Sequence, residues 1–175
     1  MLNKLLSLSG QTRLMIMGVM AVIILGFVNM EIAGKEHIIS EGTTMLLLVA
    51  PRDPRSLLQG DYMTLRYSMA REVAAAAKDA AVNDGAIVVS LGGNDEAQFV
   101  ALYEGQSLSP GQHRLQFRKR GETVRLASDA FFFEEGQWQT YNGARFGEIR
   151  VDADGSAVLI GLRDSEGVRM GPALH

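Results

Sequence analysis

The apolar positions of this chain fall into one long uninterrupted block followed by a series of short runs. The block is Leu14 to Met30, LMIMGVMAVIILGFVNM, with no charge and a single polar side chain, Asn29. Seventeen helical residues rising about 1.5 Å each span about 25 Å, near the lower end for a bilayer. Ile32 and Ala33 lengthen the span, with Glu31 among the headgroups. A helix that is apolar all round has no solvent face, so the block predicts a membrane anchor over 14–33. A buried core helix is the rival reading, disfavoured by the N-terminal position and the polar residues on both sides. A cleavable signal peptide is another rival. The apolar stretch exceeds the usual length of such a region, and EIAGKE after it is a poor small-x-small cleavage site, so an uncleaved anchor is preferred.

Flanking charge predicts the orientation. Lys4 and Arg13 precede the span, while Glu31, Lys35 and Glu36 follow it. The positive side stays in the cytoplasm, which places the remainder outside it. The expected organisation is a cytoplasmic N-terminus over 1–13, a single-pass inner-membrane anchor over 14–33, a stalk over 34–42, an extracytoplasmic (periplasmic) domain over 43–165 and a tail over 166–175.

The shorter runs predict the domain. Thr43 to Ala50 reads TTMLLLVA and ends at Pro51, the pattern of a buried strand. Pro51 to Gly60 is a loop, and Tyr62 to Met69 returns as a strand, so the two are expected to pair as a hairpin with a long tip. Ala70 to Val82 is the one clear soluble helix, rich in alanine and stopped by Asn83-Asp84-Gly85. Strands follow at Ala86 to Leu91, Gln98 to Tyr103, His113 to Arg118 and Thr123 to Ala127. Phe131-Phe132-Phe133 forms an apolar knot. Glu134 to Ala144 holds a helical turn or more. Phe146 to Val151 and Ala157 to Leu162 make a last hairpin about Asp154-Gly155. From Arg163 onward the chain reads as frayed. The sum is an α+β, mostly β domain with one main helix: one antiparallel-rich sheet or a barrel-like form, without βαβ alternation.

Composition narrows the chemistry. The chain has 175 residues and no cysteine, which removes disulfides, thiolate metal sites, cysteine catalysis and lipoprotein acylation. The formal net charge is -3, and the densest basic run, Arg118-Lys119-Arg120, reads as a hairpin tip, so nucleic acid is not an expected partner. The three histidines, His37, His113 and His175, have no metal-ligand spacing. Asp152-x-Asp154-Gly155 starts like a calcium loop, but its glycine comes too early and the closing glutamate is missing, so it reads as a turn. Neither GxGxxG nor a P-loop occurs, and no cofactor is expected. Asp53 with Asp61, or Glu134 with Glu135, would serve as paired carboxylates only if folding brought them together.

Within Pro51 to Tyr67, PRDPRSLLQGDYMTLRY, the residues Gly60-Asp61-Tyr62, Leu65 and Tyr67 spell GDYxxLxY. The segment resembles the bacterial membrane-anchored family named after that pattern, the GDYXXLXY proteins. Asp53-Pro54-Arg55 and the apolar strand before it are part of the resemblance. So is a looser second block: Phe132-Phe133, Glu135-Gly136, Tyr141, Ala144-Arg145, Gly147-Glu148, Arg150-Val151 and Gly161-Leu162-Arg163. The family's activity is unknown. The resemblance implies an N-terminal anchor, and the company of polytopic membrane proteins implies an integral membrane partner in the envelope rather than a catalyst.

The motif also has a reading of its own. Strand parity puts Met63, Leu65 and Tyr67 on one face and Tyr62, Thr64, Arg66 and Ser68 on the other, so Leu65 and Tyr67 are expected in the core. Tyr62 is expected to pack under the following helix or to meet the Asp53–Arg55 loop. Gly60 suits a positive φ or a close backbone approach, Asp61 can cap the turn, and Arg55 can fork onto Asp61 or Asp53. A rigid turn held by this network is favoured over a ligand site.

A proline-bearing loop before a short GDx strand is also similar to membrane-anchored signal peptidases, which need a serine nucleophile and a lysine base. Here Asp53 precedes the proline, Ser56 is misplaced, and Lys78 and Lys119 are the lysines past the stalk, on a helix and at a hairpin tip. The expected function is therefore a tethered interaction module. The alternative is a tethered hydrolase or small-ligand domain built on Asp53, Arg55, Asp61 and Tyr62; Glu135, Tyr141 and Arg145 are candidates for a binding or structural role, and no catalytic residue is assigned. The aromatic cluster of Phe131 to Phe133, Trp138, Tyr141 and Phe146 reads as core, or as a patch that docks a membrane partner.

Overall fold

The computed structural model describes residues 10–50 and 62–172. Its first element, α1, runs from Gly10 to Glu41 without a break, so the segment read as a stalk is helical. Ile38 is its one buried residue. The helix is long and apolar enough to cross a membrane, and it is the one such helix among the described residues. The contacts divide the chain after His37, and the folded unit begins at Ile38, within the last turn of α1.

Gly42 alone separates the helix from the first strand. Its N–H donates to the Ile38 carbonyl at 3.0 Å, and its own carbonyl accepts Arg150 Nη1 at 2.7 Å. A Cβ here would collide with the Ile38 carbonyl and lie 3.1 Å from the Val151 backbone. Only glycine fits so close a passage.

Strand β1 (Thr43–Leu48) follows. Met45, Leu46 and Leu47 are all buried, so both of its faces are covered. Along one edge it pairs antiparallel with β8 (Phe146–Val151), Thr43 opposite Val151 and Leu48 opposite Phe146. β8 pairs in turn with β9 (Ala157–Arg163), and β9 with the two-residue β10 (Arg169–Met170), giving a sheet ordered β1-β8-β9-β10. A second four-stranded sheet is ordered β4-β3-β5-β6, from β3 (Asp84–Leu91), β4 (Ala97–Leu102), β5 (Gln112–Arg120) and β6 (Thr123–Arg125). Between them β2 (Tyr62–Thr64) and β7 (Ala130–Phe132) form a two-stranded ribbon. The domain is mostly β with one main helix, α2 (Ala70–Asp79); α3 (Trp138–Tyr141) is a single turn.

The two larger sheets are joined at two corners. The Leu46 N–H on the free edge of β1 donates to Asp95 in the β3–β4 turn at 2.9 Å. The β8–β9 turn makes the reciprocal contact: Gln116 N–H on β5 donates to the Gly155 carbonyl at 2.8 Å, and Arg114 Nη2 to Ala153 at 2.6 Å. Gly155 has φ +88° and lies so near β5 that a Cβ would be 3.2 Å from the Gln116 nitrogen. The Asp154-Gly155 pair is thus both a turn and a seam. One core results, shared by Met45, Leu47, Ile149 and Leu162 from one sheet, Ile87, Val89, Leu115 and Phe117 from the other, Val73 and Ala77 from α2, and Leu65 and Phe131.

Three expectations change. The strand after the motif loop does not form a hairpin with β1. It breaks after Thr64: β2 pairs with β7, and β1 is met further on through Val49 opposite Tyr67, with Ala50 N–H donating to Arg66 and Ser68 N–H to Leu48. β8 takes the other edge of β1, because a strand buried on both faces needs partners on both sides. Second, α2 stops at Asp79 rather than Val82. Ala81 takes φ +55°, and the Val82 N–H reaches back to Ala77 at 2.9 Å, which closes the helix before Asp84 and Gly85 enter β3. Third, the tail past Arg163 is ordered at least to β10.

Left-handed backbone costs a non-glycine residue about 1–2 kcal/mol. Ala81→Gly should therefore stabilise the protein by about 1 kcal/mol. Denaturant unfolding of the two forms in the same detergent checks this; an unchanged or lower midpoint would show that Ala81 carries no such strain.

Candidate functional site

The motif strand is placed by what surrounds it. Tyr62, Met63 and Thr64 lie opposite Phe132, Phe131 and Ala130, and Leu65 N–H donates to Asp129 at 2.8 Å. Parity holds: Leu65 and Tyr67 are buried and Arg66 between them is exposed. The Tyr67 hydroxyl donates to the Ser128 carbonyl at 2.8 Å, and the Ser128 hydroxyl to Ala130 at 2.7 Å. Burial, and then the nearby Asp129 charge, push the Tyr67 phenol well above its ordinary value, so it stays neutral and acts as a donor. Its ring fills the space over Gly147, where a Cβ would sit 3.0 Å from Tyr67 Cε1 and 3.3 Å from Leu159 Cδ1. The last tyrosine of the first motif and a glycine of the second block therefore interlock.

Tyr62 behaves differently. Its ring is half-buried and lies 5.7 Å from Phe132 across the ribbon, while the Asp53–Arg55 loop lies outside the described residues. Phe132 is 76% exposed, while its neighbour Phe131 is buried. Phe131 meets Tyr141 edge-on at 5.1 Å, and Phe133 lies 5.1 Å from the same ring. The aromatic knot is thus split by strand alternation: Phe131 and Tyr141 in the core, Phe133 against it, Phe132 outward.

The other predicted residues fall into two groups. Asp53, Arg55, Gly60 and Asp61 lie outside the described residues. Glu135 and Arg145 are exposed. Arg145 contributes through its backbone, its N–H donating to Arg163 and its carbonyl accepting Val49 N–H, both at 2.8 Å. Among the described residues no group of three or more His, Asp or Glu side chains is placed to hold a metal ion.

One cluster was not anticipated as a unit. Glu148, in the middle of β8, is 3% exposed and takes two guanidiniums. Arg163 Nη2 donates to Oε1 at 2.8 Å; Arg169 Nε and Nη2 reach Oε2 at 2.9 and 2.8 Å. Arg163 Nη1 also donates to Gly167 at 3.0 Å. Burial by itself would raise the Glu148 carboxyl, but the hydrogen bonds from Arg163 and Arg169, with their charges, outweigh it and hold the group below its ordinary range. The same carboxylate holds the Arg163 proton more firmly. A carboxylate saturated in this way is a poor base; it is a fastener between β8, β9 and β10. A glutamate between Gly147 and Ile149 in an apolar strand was the available signal. Reading the tail as frayed concealed Arg169.

Glu148→Gln would leave two guanidiniums facing a neutral amide and should cost about 3 kcal/mol. The folded value lies below the unfolded one, so the pairing stabilises the fold above about pH 4.5 and is lost as pH falls through the lower folded value. Denaturant unfolding at neutral pH and again well below 4.5 should show the gap between wild type and variant shrinking with acid. A gap that stays constant would mean that the pairing does not carry the stability.

The family model described as GDYXXLXY protein matches residues 24–162, from within α1 into β9. No curated protein and no solved structure matches the chain.

Proposed function

We propose, for a chain that belongs to the GDYXXLXY protein family, a tethered interaction module of the inner membrane whose domain lies outside the cytoplasm and docks on a polytopic membrane protein. The charge asymmetry supports the orientation, with Arg13 before the span and Glu31, Lys35 and Glu36 after it. The observation that carries the docking reading is Phe132. A phenylalanine 76% exposed beside the half-buried Tyr62 leaves apolar surface in water at a position built by the family's own motif. Rigid aromatic groups of this kind anchor protein interfaces.

Topology is tested first. The protein should resist a carbonate wash, and its domain should be cut by protease added to intact spheroplasts. Release by carbonate, or protection of the domain until the cells are opened, sinks the placement.

Docking is tested at Phe132. A photo-crosslinker there should capture an integral protein with several spans, and Phe132→Ser should lower its co-purification by about tenfold. An outward residue should change stability by no more than about 0.5 kcal/mol. Undiminished co-purification would remove Phe132 from the interface.

A further inference from the structure

β10 is only two residues long, bonded to β9 through Arg169 opposite Arg163 and Met170 opposite Leu162. So short a strand is held by its side-chain contacts. Arg169 is fastened to the buried Glu148. Two residues on, Gly171, at φ +71°, lies against the hydroxyl end of Tyr141, where a Cβ would collide with the hydroxyl. Tyr141 in turn touches Phe131 and Phe133, each with ring centroids at 5.1 Å. Phe131 lies opposite Met63 in the ribbon, beside the Tyr62–Phe132 pair. Packed contact is therefore continuous from the Glu148 carboxylate to the exposed aromatic ribbon.

We propose that β10 is a latch on the aromatic ribbon: its release uncovers Tyr141, frees Phe131 and Phe133, and so loosens the ribbon that carries the exposed Phe132 as one unit with the tail. That regulatory meaning rests on the ribbon being the docking surface; the coupling itself does not. The geometry suits a two-state element, because the latch has few ladder bonds while both of its anchors are specific. Met170 is partly buried against the core, so release also exposes apolar surface that a partner would cover. Trp138, the chain's single tryptophan, begins the turn that ends at Tyr141 and reports on it.

Hydrogen exchange on the full chain in detergent tests the coupling without any partner. In wild type, the amides of 130–133, 138–141 and 169–171 should open together as denaturant rises, below the global transition. Arg169→Ala leaves the Arg163–Glu148 pair in place and should speed exchange in all three segments by about tenfold or more, with β1 and β8 unchanged and Trp138 emission shifted to the red. Gly171→Ala attacks the latch from its other anchor and should give the same pattern. Faster exchange confined to 169–171 would overturn the proposal. So would loss of protection in β1 and β8 as well, because the tail would then belong to the global core. Should neither variant fold, the wild-type exchange decides: separate openings for the tail and the ribbon defeat the latch. A ribbon that opens with the tail but crosslinks to no membrane protein would uphold the latch and defeat the docking reading instead.

Discussion

Leu46 and Leu47 point to opposite faces of β1, and both are buried. A strand in that situation has no water on either side, so each of its backbone groups needs a protein partner. β8 supplies one edge. The other edge is shared between Asp95, which accepts the Leu46 N–H, and the Arg66–Ser68 segment at and beyond its end. The remaining elements are arranged around that requirement: one sheet spreads from β8, the turn of the other sheet comes to the free edge, and the motif strand closes the last bonds. Within the folded unit, the turn at Ile38 leads into this strand through Gly42, whose backbone lies against Val151.

Seen from β1, the family motif is a packing device. Tyr67 is large, neutral and hydrogen-bonded, and it fits because residue 147 has no side chain. Leu65 joins the same core and Tyr62 turns away from it. Two segments about eighty residues apart in sequence are thereby held in one register, because slipping β8 by one residue would set Phe146 or Glu148 against Tyr67 where the glycine is needed. Met63 contributes apolar bulk, which many side chains could supply.

Much of this was legible in the sequence, and the failures have physical reasons. The apolar block, the β3–β4, β5–β6 and β8–β9 hairpins and the core positions Leu65 and Tyr67 follow from local periodicity, which side-chain burial enforces. The pairing of β1 with β8 instead of the motif strand was not legible, because both candidates are apolar and the choice lies in contacts across about a hundred residues. The helix stop was misplaced because glycine is the usual left-handed residue, and here an alanine does that work so that Gly85 can serve in β3. The Glu148 cluster was half legible. Its carboxylate stands out in an apolar strand, but Arg169 reaches it through a five-residue turn with no periodicity of its own.

Removing a carboxylate from water is expensive, and an apolar side chain of similar size would often make a more stable sheet. Two guanidiniums on Glu148 bring something an apolar contact would not. Fork geometry is directional, so it fixes where Arg169 lies and hence the register of a strand too short to specify its own. Met170 then falls on the core side and Gly171 against Tyr141. An apolar tail would bury as much surface but could slide along β9, and each register would leave Tyr141 differently covered. The ionic fastener trades some stability for a single position of the tail, and through Tyr141 that position reaches the aromatic residues beside the exposed Phe132.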